Sequence, residues 1–89
     1  MRLETGAKFN KDLKRIKKRG LPENLLWEVV ELLFSGETLP RKYNPHRLKG
    51  NWVGFMECHI TPDWLLIWRQ IDDRIILTRT GSHSDLFNK

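Results

Sequence analysis

Trp64-Leu65-Leu66-Ile67-Trp68-Arg69-Gln70-Ile71-Asp72-Asp73-Arg74-Ile75-Ile76-Leu77-Thr78-Arg79-Thr80 holds two runs dense in β-branched and aromatic residues, split by a pair of aspartates. Such runs favour strands, and the aspartates mark a turn. A third run, Trp52–Ile60, precedes them across Thr61-Pro62-Asp63. Connections this short make neighbouring strands antiparallel, so Trp52–Ile60, Trp64–Ile71 and Arg74–Thr80 read as a meander. Upstream, Thr38–Asn51 carries Pro40, Pro45 and Gly50 and reads as a loop. Lys8–Arg19 reads as a helix, with Phe9, Leu13 and Ile16 at i, i+4 and i+7 and Gly20 as its stop. Pro22 suits the first turn of a second helix, whose broad apolar face (Leu25, Leu26, Val29, Val30, Leu32, Leu33) ends at Gly36. Arg2–Thr5 can add an edge strand. The fold class expected is α+β: an N-terminal helical hairpin packed on one face of a curved antiparallel sheet.

The 89 residues support one hydrophobic core, hence one domain over residues 1–89. Hydrophobic residues make up 39% and charged residues 30%, the balance of a folded soluble domain. Gly50–Met56 is the longest uncharged stretch, far too short to span a membrane. The opening Met1–Thr5 shows no apolar leader, and Cys58 is the sole cysteine, which excludes an internal disulfide or a multi-cysteine zinc site. A cytoplasmic protein is expected. The net charge of +5 is unevenly placed: Lys8–Arg19 has seven basic residues against Asp12 alone. Arg41–Lys49 has four more and no acid, while Leu21–Pro40 has four glutamates and no Lys or Arg. Basic blocks of this kind suit a polyanion or an acidic protein as partner, although a lone lysine-rich helix is more often a solvated face.

All the histidines, His46, His59 and His83, fall outside the helices. In a three-strand meander the first and third strands run the same way, which brings His59, Asp63, Arg79 and His83 to one sheet end. Cleavage of RNA without a metal needs a base for the 2′-hydroxyl, an acid for the leaving oxygen and a cation for the phosphate. Histidine serves both proton roles near neutral pH, and arginine can grip phosphate oxygens bidentately. Trp64 could stack on a splayed base. Each of these residues also has an ordinary structural reading, Arg79 as the partner of an acid and the histidines as surface groups. Cys58 and His59 are adjacent on a strand and point to opposite faces, so they make a poor metal pair. Ser82, His83 and Asp85 lack a nucleophile elbow, which argues against a Ser-His-Asp site.

His46-Arg47-Leu48-Lys49-Gly50, Trp52, Glu57-Cys58-His59-Ile60-Thr61-Pro62-Asp63-Trp64 and Arg79-Thr80-Gly81-Ser82-His83-Ser84-Asp85-Leu86-Phe87 resemble the YafQ branch of the RelE/ParE toxin superfamily. The resemblance implies a RelE-like fold and the toxin of a type II toxin–antitoxin pair, an endoribonuclease that cuts mRNA without metal or other cofactor, in YafQ itself on the ribosome. By motif position it places the functional residues at His46, His59, Asp63, Trp64, Arg79, His83 and Phe87. His83 would be the general acid, and His46, His59 or Asp63 the base. Arg79 would carry the phosphate with help from Arg47 and Lys49, while Trp64 and Phe87 would hold the RNA or shape the pocket. The implied partner is a DinJ- or RelB-like ribbon-helix-helix antitoxin with an acidic tail, through which alone operator DNA would be met. RelE proper uses a tyrosine near its C-terminus, whereas the single tyrosine here is Tyr43, in the loop. Two other readings stand beside this one: a non-catalytic ParE-like inhibitor of a protein such as DNA gyrase, and a degenerate member that only binds RNA.

Overall fold

The expected apolar stripe anchors helix α1 (Ala7–Lys18): Phe9 and Ile16 are fully buried, and Leu13 packs against the same core. The computed structural model describes residues 1–87, so Asn88 and Lys89 of the expected domain lie outside it. Helix α1 ends in a Schellman motif, with Gly20 at φ 74° donating to Lys17 and Leu21 donating back to Ile16. Leu21 joins the core edge, which turns the chain into α2 (Glu23–Phe34). Pro22 sits one residue before that helix and caps it with its carbonyl. Leu26, Val29 and Val30 are its buried face, and the Trp27 ring meets Phe9 of α1 edge-on at 6.5 Å.

Both helices lie on one side of a five-stranded sheet ordered β1-β5-β4-β3-β2. Its strands are β1 (Arg2–Thr5), β2 (His46–Arg47), β3 (Met56–Thr61), β4 (Trp64–Ile71) and β5 (Arg74–Gly81), followed by a short helix α3 (His83–Phe87). The expected meander β3-β4-β5 is present and antiparallel. The sheet is mixed rather than wholly antiparallel, because β1 pairs parallel with β5. A parallel neighbour needs a long crossover, and here the rest of the domain provides it. Two further details depart from expectation. The loop contributes β2, which pairs with β3. The run from Trp52 enters the sheet only at Met56, because Val53-Gly54 forms a type II turn closed by Phe55 N–H to the Trp52 carbonyl at 3.1 Å, with Gly54 at φ 92°.

Trp64, Leu66, Trp68, Cys58, Ile60, Ile75 and Leu77 face the helices and form the core with Phe9, Ile16, Leu26 and Val29. Trp68 is 5% exposed within that core. Trp68→Ala is therefore expected to cost roughly 3–5 kcal/mol of stability through the cavity it leaves. Chemical denaturation would show this as a lower midpoint with an unchanged slope. Among the described residues no helix is long and apolar enough to cross a membrane.

Candidate active site

The sheet face turned away from the helices carries the polar chemistry. Alternation along β3 sends Cys58 and Ile60 into the core and leaves Glu57 and His59 on the opposite face. β2 sets His46 directly across from Glu57 on that face. The preceding Asn44 adopts a left-handed conformation (φ 47°), and its carbonyl accepts from His46 Nδ1 at 2.7 Å. The other nitrogen, Nε2, lies 3.1 Å from Glu57 Oε1. Because a carbonyl can only accept, Nδ1 carries the hydrogen of that bond, and Nε2 is the nitrogen that faces the carboxylate. His46 thus has both nitrogens committed. Glu57 is 5% exposed, and its second oxygen, Oε2, is buried without a hydrogen-bond partner among the described residues. An orphaned buried acceptor of this kind is uncommon and needs a functional or structural account.

His59 occupies the middle of the cluster. Its ring centroid is 6.0 Å from His46 and 5.7 Å from His83, both edge-on. Its Nε2 is 3.7 Å from Glu57 Oε1, too long for a hydrogen bond. His83 opens α3 and is oriented twice by Asp63: Oδ1 accepts its backbone N–H at 3.0 Å and its Nδ1 at 2.6 Å. The backbone N–H and then the ring hold the Asp63 carboxyl below its ordinary range. With Nδ1 fixed on Asp63, His83 Nε2 is the nitrogen left to exchange protons.

α3 is itself pinned by a capping box, in which Ser82 Oγ accepts from Asp85 N–H at 3.1 Å and Asp85 Oδ2 accepts from Ser82 N–H at 3.0 Å. Arg19, at the end of α1, donates both terminal nitrogens to Asp85 at 2.6 and 2.9 Å and, as the largest cause, keeps its carboxyl well below the usual range. Ser82 and Asp85 are thereby occupied in the cap, which leaves no Ser-His-Asp site. The Asp85 pairs also draw on the basic run of α1: Arg15 and Arg19 face Asp85, and Lys17 faces Glu23.

Trp64, Arg47 and Arg79 take positions other than those expected of them. Trp64 is 2% exposed and donates its Nε1 to Thr80 Oγ1 at 2.9 Å, so it supports the sheet end from the core and offers no face to a base. Arg47 follows His46 on a strand and pairs with core-packed Met56, which places it on the opposite face from the histidines. Lys49 is exposed just before the turn at Gly50–Trp52. Arg79 donates Nε and one terminal nitrogen to Asp12 at 2.7 and 3.2 Å. Asp12, 2% exposed, also accepts the Thr80 N–H at 3.1 Å. Hydrogen bonding to Asp12 raises the Arg79 pKa further. The bidentate phosphate grip expected of Arg79 is therefore directed at Asp12, and its other terminal nitrogen, Nη1, makes no hydrogen bond to the described residues. Phe87 is half-buried, edge-on to Trp52 at 6.1 Å.

Glu57 and Asp12 are the residues that sequence reasoning missed. Both were signalled: Glu57 stands two residues before His59 and shares its face, and Asp12 interrupts the basic helix on the buried stripe between Phe9 and Ile16. Burial pushes the Cys58 thiol up to about 12, which makes it inert as a nucleophile. No group of three or more His, Cys, Asp or Glu among the described residues is arranged to hold a metal ion.

A family described as "Bacterial toxin of type II toxin-antitoxin system, YafQ" matches residues 1–88. The chain belongs to the YafQ toxin family. The mRNA interferase toxin YafQ of Escherichia coli K12 is 36% identical over 86 residues, 96% of this chain and 94% of that protein. The YafQ fold is also met in the E. coli DinJ–YafQ complex, at TM-score 0.91 and 36% identity, covering 98% of this chain and 99% of that one. A metal-bound toxin from Helicobacter pylori matches at TM-score 0.91 and 43% identity, with 98% and 99% covered. These likenesses span the helical hairpin as well as the histidine face. The RelE-like α+β fold expected of a YafQ toxin is the fold observed.

Proposed function

We propose that this chain is an endoribonuclease that cleaves mRNA, engaged with the ribosome, through metal-independent acid–base chemistry. The observation that carries the reading is the contact of His59 with His83, the latter held by Asp63, with both rings partly exposed. Of the three candidate bases, His46 has both nitrogens engaged and Asp63 is held as a poor base by its bonds to His83. His59 is the least committed. In this mechanism His59 takes the proton of the 2′-hydroxyl, O2′ attacks phosphorus, and the bond from phosphorus to O5′ breaks. His83 Nε2 supplies the proton to the departing O5′. The products are a 2′,3′-cyclic phosphate and a 5′-hydroxyl, and the two histidines end with their protonation exchanged. Glu57 faces both His46 and His59 from beneath and sets the local charge, Lys49 adds positive potential, and Arg79 contributes through Nη1 while chiefly holding α1 to β5.

The proposed partner is a DinJ-like antitoxin with an acidic segment. Lys8, Lys11, Lys14 and Lys18 have no acidic partner among the described residues and remain for such a segment. Complementary charge of this kind speeds association.

Purified protein, assayed with and without ribosomes, is expected to cleave mRNA, and EDTA is not expected to slow its cleavage of free RNA. A 2′-deoxy sugar at the cut site should block the reaction, and the new ends should be cyclic phosphate and 5′-hydroxyl. Loss of free-RNA cleavage in EDTA, or equal cutting of the deoxy substrate, overturns the proposal.

A further inference from the structure

The histidine face continues into a second cluster that the acid–base chemistry does not use. Arg69 follows Leu65 and Ile67 at two-residue steps along β4, so it lies on the same face as Glu57 and His59. Phe55 stands two residues before Glu57. The Arg69 guanidinium lies over the Phe55 ring, 5.2 Å from its centroid. The opposite edge of this stack is closed by Trp52, 5.4 Å from Phe55 and 6.1 Å from Phe87 of α3. A chain of flat groups thus runs from the helix that carries His83 to an exposed guanidinium. Among the described residues no carboxylate pairs with Arg69, whereas Arg15, Arg19, Arg74 and Arg79 all have one.

We propose that Arg69, backed by Phe55 and braced by Trp52, is a stacking platform for a nucleobase of the RNA next to the cut. The inference rests on the ribonuclease reading above and adds to it a base-binding subsite. Flat guanidinium groups and aromatic rings are the surfaces on which unstacked RNA bases settle, and the charge attracts the phosphate that follows the base. From Glu57 to Phe55 is about 7 Å along the strand, a step comparable to one nucleotide. The platform holds a base by its π-face, and so it contributes affinity and a preference for bases that stack strongly. Shielding of the Phe55 ring by Arg69, with no part in RNA binding, is the outcome that the test must exclude.

The test pairs protein variants with modified RNA. Arg69→Gln and Phe55→Leu are expected to lower kcat/KM by roughly 5- to 100-fold, mostly through KM, the range for losing one base stack. Arg69→Lys should not restore activity, since an ammonium keeps the charge and lacks the plane. Replacing one flanking nucleotide by an abasic residue should slow the wild type to the level of Arg69→Gln and slow Arg69→Gln no further. Variants that fold, cleave at the wild-type rate and keep its base preference would return Arg69 to a shielding role. So would a penalty for the abasic RNA that is the same in wild type and variant. Wild-type protein that neither binds nor cuts RNA would instead remove the ribonuclease reading, and the platform with it.

Discussion

His83→Ala protein is expected to melt like the wild type and to cleave RNA about 100- to 10,000-fold more slowly. The rate loss is the usual effect of deleting a general acid, roughly 3–5 kcal/mol of transition-state stabilisation. The stability expectation follows from the site's construction. His83 is only half-buried, and its bond to Asp63 through the backbone N–H survives truncation of the ring. The capping box of Ser82 and Asp85 that starts α3 is also untouched. Surface changes that leave such networks intact usually fall within about 0.5 kcal/mol. Melting curves beside single-turnover cleavage separate the outcomes. Wild-type cleavage by a well-folded variant removes His83 from the mechanism, and a large drop in melting temperature makes it a structural histidine.

Arg79→Ala should fail differently, through the fold. Its guanidinium is 17% exposed and spends two donors on Asp12, which is buried between α1 and β5. Removing the arginine leaves the buried carboxylate only the Thr80 N–H and the more distant Arg15, and breaking a buried pair in this way costs about 3–5 kcal/mol. Asp12→Ala should cost a similar amount for the converse reason. The double variant should recover part of the sum, because neither charge is then left alone. A double-mutant cycle from urea unfolding checks this. An Arg79→Ala protein as stable as the wild type but inactive would return Arg79 to the role of phosphate cation. A coupling energy near zero between Arg79 and Asp12 would say that their bond contributes nothing to stability.

What the sequence specifies locally and what it leaves to the fold divide by the range of the interaction concerned. Local periodicity and turn chemistry specified α1 and α2 with their glycine stops, the meander of β3, β4 and β5, and the opposite facing of Cys58 and His59. Antiparallel connectivity alone was enough to bring His59, Asp63 and His83 to one sheet end, since short connections leave a meander no other path. The late start of β3 was also encoded locally, in the Val53-Gly54 turn, but was hidden by the apolar residues around it. Pairings between residues far apart in sequence were a different matter. Asp12 and Arg79 are 67 positions apart, and no local pattern announces the bond between them. The same holds for Arg19 and Asp85 and for the parallel docking of β1 on β5. Burial of the Trp64 ring and the use of both His46 nitrogens likewise came from neighbours brought in by tertiary packing. Sequence by itself determined which residue types the site contains and which sheet end holds them. Tertiary structure decided which of them are free to act, because a side chain's partners are chosen by distance in space, and at these positions the nearest acid or carbonyl is supplied by a different element.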